Sequence, residues 1–439
     1  MMQPTRKWPG LPIWFIGGLG FYFGLAPASA AVAGEGLPVV VENSVASVPV
    51  PAGAGAGTSL AECIHMALER QPAIAAQRAS LGAAVGGQRA LANIRLPAFI
   101  VRDLPIRRQQ AGLGVEIAAA SIDQAQHETV YAVTRTYFSV IYARDQERIA
   151  RGVVDHFKAT HDTAKRLVEG GSRDVTTGTL DRIAVYQRLA ETKQIQAAKG
   201  VDRALAALKE AIGMGPEGSI DVPGDKLPEP SVQVDKQQII GLALARRSEM
   251  SQAGNLAEVY CLEVAAQGKS WRARVQTFAS ASDIHYRSIP QGTTDPEYRP
   301  GAIGPEMPTM LVGSKADRTE RARAFSARAA AVADKTRNLV ALEAEDAFIK
   351  WEEATLKIPS TREAATRAAK LADDMRKDFG AEQKVKAEDL VTVEVLSAQA
   401  QAQHIETIYQ QILALAALER VTAGGFHAAL AGSVSRPQE

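Results

Sequence analysis

The sequence predicts a mainly α-helical protein in which long antiparallel helical hairpins occur as two tandem repeats. Three observations predict this class. Ala is abundant in nearly every long segment and only 24 of 439 residues are aromatic, which favours helices that pack closely through small side chains. Apolar residues recur at spacings of three and four over stretches much longer than an ordinary helix. The order of helices and breaks then starts again halfway along the chain.

The amino terminus has the three parts of a secretory signal peptide. Arg6 and Lys7 precede an apolar run from Leu11 to Leu25, and a cleavage signal of the Ala-x-Ala type follows at residues 28–30. The run is shorter than the roughly 20 residues of a membrane-spanning helix. We therefore assign residues 1–30 to a signal peptide, with an uncleaved anchor as the alternative, and residues 31–57 to a flexible segment rich in Val, Ala, Gly and Pro.

The first half of the mature chain then reads as four helices. Ser59 or Thr58 caps a first helix that ends at Gln71, and a second helix runs from about Pro72 to Ile94. After a break containing Pro97 and Pro105, a very long helix is predicted from about 114 to 168. A glycine pair stops it, and a returning helix spans about 176–212.

The second half repeats this scheme after a Pro-rich linker at residues 223–234. Helices are predicted over about 235–268, 315–379 and from a following turn to 423. Gly213 and Gly424, which end the two returning helices, differ by 211 positions. We assign residues 58–222 to the first repeat, 235–425 to the second and 426–439 to a tail. Corresponding positions in the two repeats keep nearly the same spacing along the chain, except between the second and third helices. There the first half is 34 residues shorter.

This layout resembles the TolC-type outer-membrane efflux proteins over roughly residues 59–424. The resemblance is carried by Ser59-Leu60-Ala61-Glu62 with Ala67-Leu68 and Pro72, by the Ala-rich long helices, and by glycines at both hairpin tips and at Gly424. It implies a homotrimer with a helical barrel in the periplasm and a small β-barrel in the outer membrane. It also implies docking on a periplasmic adaptor, which links the channel to an inner-membrane pump for drug efflux or protein secretion.

The shorter first half makes the strand portion unusual. In the second half a strand hairpin is predicted near 275–312, although Pro308 interrupts its second strand. In the first half the equivalent stretch is reduced to residues 94–115 and carries four arginines, which are costly in lipid. Either short, unusual strands complete the barrel, or the chain keeps the helical cylinder with a reduced membrane part. The arginines favour the second.

The resemblance places the functional site at the hairpin tips. Adaptor docking is expected at the first tip and at its counterpart in the second repeat, where a pore constriction is also expected just inside the turn. Ordinary solvent-exposed helix turns are the alternative. The docking residues are Gly170, Gly171, Ser172, Arg173, Asp174, Phe379 and Gly380, and the constriction residues are Glu388 and Asp389.

Composition and motifs exclude several other classes. The near balance of 50 Lys+Arg against 49 Asp+Glu offers no basic surface for nucleic acid. The two cysteines, Cys63 and Cys261, fit no metal or redox motif, and they are expected either to pair or to be two small buried thiols. No catalytic, cofactor-binding or metal-binding residues are predicted, so an enzyme is not expected. The function expected is an outer-membrane channel component, with a periplasmic helical scaffold or binding protein as the alternative.

Overall fold

The computed structural model describes residues 57–97, 99–171, 175–224, 226–270, 313–381 and 385–430. The predicted signal peptide, the strand hairpin near 275–312 and most of the carboxy-terminal tail lie outside these residues.

The described residues form eight α-helices and no strand, which confirms the predicted helical class. No helix among them carries an apolar stretch long enough to cross a bilayer. The first four are α1 (Leu60–Arg70), α2 (Pro72–Ala92), α3 (Leu104–Glu169) and α4 (Thr177–Ile212). The last four are α5 (Lys236–Arg246), α6 (Ser248–Lys269), α7 (Lys315–Ala381) and α8 (Ala387–Val421).

The two sets of four helices match in length, as a duplicated chain requires. The first helices have 11 residues each and the second have 21 and 22. The third have 66 and 67 residues, about 100 Å at 1.5 Å per residue, and the fourth have 36 and 35. The halves differ in the connection between the second and third helices, which has 11 residues in the first half and 45 in the second.

Most helix boundaries follow from local signals in the sequence. Ser59 caps α1 through a capping box with Glu62, and Thr176 does the same for α4 with Thr179. One predicted boundary was wrong by ten residues, because α3 begins at Leu104 and not near 114. Pro105 does not break this helix, since it occupies the first turn, where its missing N–H has no partner to lose.

Four helices lie side by side in the order α4, α3, α8, α7. α3 packs against α4 on one side and α8 on the other, and α8 also packs against α7. Near its amino-terminal end, α3 packs against α2 and α6 instead of α4 and α8. Near its own amino-terminal end, α7 packs against α6 instead of α8. Side-chain contacts fix the direction: Ser139 on α3 bonds to Tyr409 on α8, whereas His156, farther along α3, contacts Glu394, which lies nearer the start of α8. In the α4–α3–α8–α7 row, neighbouring helices therefore run antiparallel, and α4 and α7 form its edges.

Both cysteines are free thiols, so of the two alternatives the disulfide does not form. Cys63 is buried against Tyr137 and its neighbours, whereas Cys261 is exposed, so the expectation of two buried thiols holds for one of them only. Burial, assisted by the nearby charge of Glu62, raises the pKa of Cys63 to about 12.

A buried polar network joins the two repeats where α3 begins. Arg107 on α3 forms an ion pair with Glu263 on α6, which also accepts from the amides of Gln110 and Gln267. Burial disfavours the charged form of Glu263, but the Arg107 guanidinium and the two amides outweigh it, so the pKa of Glu263 lies below its usual value. Gln267 in turn accepts from Arg318 at the start of α7.

The turn at Gly213 provides a test of local stability. Gly213 has a φ of +76°, and a Cβ there would lie 2.9 Å from the carbonyl oxygen of Arg70. We expect Gly213→Ala to lower the free energy of unfolding by at least about 1–2 kcal/mol, because L residues resist this backbone conformation. Gly82→Ala is the matched control, since its Cβ would meet nothing and Ala favours the helix by up to about 1 kcal/mol. Thermal unfolding followed by circular dichroism measures both, and equal effects would contradict this account.

Candidate functional site at the helix tips

The two hairpin tips lie together at one end of the helix row. α3 and α4 meet at residues 170–176, and α7 and α8 meet at 382–386. One apolar cluster contains buried residues from all four helices at this end, which packs the tips against each other. Its buried members are Phe157, Ala164, Val175, Ile183, Ala190, Phe379, Ala387, Leu390 and Val391.

The first tip is a sharp helix exit. The N–H of Gly170 donates to the carbonyl of Arg166, and Gly171 follows with a φ of +79°. Gly171 is exposed and a Cβ there would touch nothing, so the backbone conformation, and not lack of space, explains the glycine. Residues 172–174 lie outside the described residues. Gly170 and Gly171 thus present exposed backbone at the end of the molecule.

The second tip is built differently. Phe379 is only 2% exposed and belongs to the shared apolar cluster. Its side chain therefore packs the tip together and is not on the surface of this chain. Gly380 follows in the last turn of α7, and α8 begins after Lys386, whose carbonyl accepts the N–H groups of Asp389 and Leu390.

The two predicted constriction residues occupy the first turn of α8. Glu388 and Asp389 are both exposed. The carboxylate of Glu388 forms an ion pair with Arg182 on α4, which links the second tip to the first within one chain. An exposed pair of this kind contributes up to about 1 kcal/mol. Carboxylates at this helix start are also favoured by the helix dipole.

A buried link near the tips was not found from the sequence. Glu394 on α8 is 3% exposed, accepts from Arg376 on α7 and lies 3.1 Å from the Nδ1 atom of His156 on α3. The group therefore ties three helices together between one and two turns from the constriction residues. His156 and Glu394 are 238 residues apart, so no spacing in the sequence could pair them. Among the described residues no group of three or more His, Cys, Asp or Glu side chains could hold a metal ion.

Comparison with known proteins identifies the fold. No protein-family model and no curated protein sequence matches the chain. Solved structures do match. The outer-membrane channel OprN superposes with a TM-score of 0.68 at 16% identity over 83% of this chain and 90% of its own. The outer membrane protein VceC from Vibrio cholerae gives a TM-score of 0.66 at 15% identity over 84% and 97%.

A third solved structure of an outer-membrane channel also matches. The Campylobacter jejuni CmeC outer membrane channel gives a TM-score of 0.65 at 11% identity, over 84% of this chain and 86% of its own. The chain therefore has the fold of these channel proteins, and the fold implied by the resemblance to TolC-type proteins is confirmed.

The buried Glu394 link makes a measurable contribution to stability. We expect Glu394→Ala to lower the free energy of unfolding by about 1.5–3 kcal/mol, because it leaves a half-buried guanidinium and an imidazole without their shared acceptor. The control, Asp389→Ala, removes an exposed carboxylate one turn away and should cost less than about 1 kcal/mol. Urea unfolding at neutral pH compares the two, and a Glu394→Ala effect no larger than the control would show that the link is not structural.

Proposed function

We propose that this chain is the outer-membrane channel subunit of a tripartite efflux or type I secretion system. In this role it is a passive conduit without catalysis that extends from the outer membrane into the periplasm. The observation that carries the proposal is the extent of the likeness to outer-membrane channels, which covers 83% of this chain for OprN and 84% for VceC and CmeC. Both long hairpins are included in such a span, so the likeness extends to the part that would enclose a pore.

The two edges of the helix row support assembly into a closed ring. On α7, Leu342, Ile349 and Leu356 are exposed at intervals of seven residues, the spacing of a coiled-coil seam. On α4, Val185, Leu189 and Ile195 are exposed as well. The helix directions alternate along the row, so α7 of one copy can pack antiparallel against α4 of the next.

Such an edge-to-edge contact joins two different surfaces, and contacts of this type close into rings when the rotation between copies allows it. The apolar stripes cannot be buried within one chain, because α4 and α7 lie at opposite edges. Three copies would contribute twelve long helices and leave no edge helix without a neighbour. We therefore propose a homotrimer whose cylinder is continued at the amino-terminal ends of α3 and α7 by the outer-membrane portion.

The tips complete the proposal. The surface that receives a periplasmic adaptor would be formed by residues Gly170 to Asp174. Phe379 and Gly380 would support the neighbouring tip. The adaptor would in turn link the channel to an inner-membrane pump. The exposed glycine backbone permits the close approach of a partner helix hairpin. Three copies of Glu388 and Asp389 would ring the entrance of the conduit. Arg182 offsets the Glu388 charge, so Asp389 would contribute most of the negative charge that favours cations.

Substitution at an edge helix tests the assembly. Burying one Leu contributes about 2 kcal/mol, so Leu356→Glu should weaken each contact between copies by about thirtyfold. Leu356 is 72% exposed in the single chain, so the substitution leaves the fold of the protomer intact. Leu396→Glu is the matched control, because Leu396 is also exposed but lies on α8, which is not at an edge. Sedimentation in detergent should show smaller assemblies for the first variant alone; identical masses for both would contradict the edge contact.

Channel activity is tested directly in planar lipid bilayers. Purified mature trimers should give discrete ion conductance steps, with a preference for cations that falls when Glu388 and Asp389 are replaced by Gln and Asn. Both positions are exposed, so the double substitution is expected to leave the trimers folded. Well-folded trimers that never conduct, and that are removed from membranes by carbonate washing, would favour the periplasmic scaffold instead.

Docking is tested by crosslinking in cells. A photoreactive residue in place of Ser172 should crosslink to a different periplasmic protein, whereas the same residue in place of Lys199, an exposed position along α4, should not. Crosslinks confined to copies of this chain would argue against an adaptor at the first tip.

A further inference from the structure

The short connection between α2 and α3, residues 93–103, exposes an unusual amount of apolar surface. Phe99 is 73% exposed, more than any other large apolar side chain in the described part of the chain. Ile100 and Leu96 are 60% and 52% exposed. Three large apolar side chains within five residues form a concentrated patch at the apex of one turn, and patches of this kind mark interaction surfaces.

The connection is held in a defined shape. The carbonyl of Pro97 accepts the N–H groups of Ile100 and Val101, which closes a turn around Phe99. Arg108 on α3 donates to the carbonyls of Leu91, Ala92 and Ile94 and so caps the end of α2. A small apolar cluster beneath the turn includes Leu91, Leu104 and Ala111. The base of the turn is therefore packed against other side chains, while the side chains at its apex are exposed to solvent.

The charge around the apex is strongly positive. Residues 89–108 contain five arginines and one acid, in a chain whose formal net charge is only +1. Arg107 is neutralised by Glu263, and Asp103 also contacts Arg107. Arg95 and Arg102 flank the apolar apex and are both exposed, and Arg102 also makes an interaction within the chain. The described residues of the connection thus combine apolar side chains with cationic flanks, and none of them places an exposed acid at the apex.

The connection lies at the end of the helix row opposite the tips. α3 separates it from Gly170 by about 100 Å. At its base, the buried network leads from Arg107 through Glu263 and Gln267 to Arg318. Arg318 also donates to the carbonyls of Ser270 and Gly313, the two points between which residues 271–312 are inserted. The apolar apex and the roots of the long insertion therefore share one end of the molecule.

We propose that the 93–103 connection is a membrane-interface anchor, in which Phe99, Ile100 and Leu96 enter the headgroup–acyl boundary and Arg95 and Arg102 bind lipid phosphates. Apolar side chains flanked by arginines are the combination that binds an anionic bilayer surface without spanning it. The inference rests on the proposed function, because it requires this end of the molecule to face a membrane. The anchor would hold the first repeat to the bilayer, where its 11-residue connection is too short for a spanning hairpin.

Depth-dependent fluorescence quenching tests the anchor in reconstituted full-length trimers. In Phe99→Trp, we expect at least half of the added tryptophan fluorescence to be quenched by lipids brominated near the headgroup, and less by lipids brominated near the chain ends. The parent protein supplies the background of its native tryptophans. Glu169→Trp, an exposed position beside the first tip, is the matched control and should show no quenching by either lipid.

The lipid charge is tested in the same preparation. Quenching of Phe99→Trp should be stronger with brominated phosphatidylglycerol than with brominated phosphatidylcholine, by up to about fivefold for each arginine. Arg95→Gln with Arg102→Gln should remove this preference. Trimers that conduct in bilayers but show no more quenching at Phe99→Trp than at Glu169→Trp would overturn the anchor and leave the channel standing. A chain that neither conducts nor floats with vesicles would overturn both.

Discussion

The structure depends on the side-by-side packing of α4, α3, α8 and α7, which leaves the outer faces of the first and last helix without a partner. Inside the row, small residues and half-buried contacts such as Ser139 with Tyr409 hold neighbouring helices together. At the edges, α4 and α7 expose Leu and Ile side chains, among them Leu356, which is 72% exposed. Apolar surface of this extent is unfavourable in water. We therefore propose that the row belongs to a larger assembly, since a closed ring leaves no edge.

Two polar links show how the two repeats are held in register along this row. The network around Glu263 joins them where α3 begins, and the group around Glu394 joins them near the tips. In both, a carboxylate that is almost completely buried is satisfied by partners from other helices, as burial of charge requires. Between these two points α3 runs along both α6 and α8, so one helix of the first repeat aligns the whole of the second.

Much of the fold could be predicted from the sequence because its signals are local. The capping box at Ser59, the left-handed glycines at 171 and 213, and the long apolar periodicities each require only neighbouring residues. What failed depended on distant contacts or on position within a helix. Pro105 was treated as a break although it lies in the first turn of α3. The burial of Phe379 and the partners of Glu394 follow from packing between repeats, which spacing along the chain does not reveal.

The contact between α7 of one copy and α4 of the next is the central claim, and disulfide crosslinking measures it most directly. Counted from the tips, Leu189 on α4 and Leu371 on α7 lie at similar depths, about 18 Å and 15 Å, and both are exposed. Leu189→Cys and Leu371→Cys, combined in a chain carrying Cys261→Ser, should oxidise to covalent dimers and trimers, with the trimer as the largest species. A chain that remains monomeric under oxidation, or a ladder that continues beyond three copies, would contradict the closed trimer.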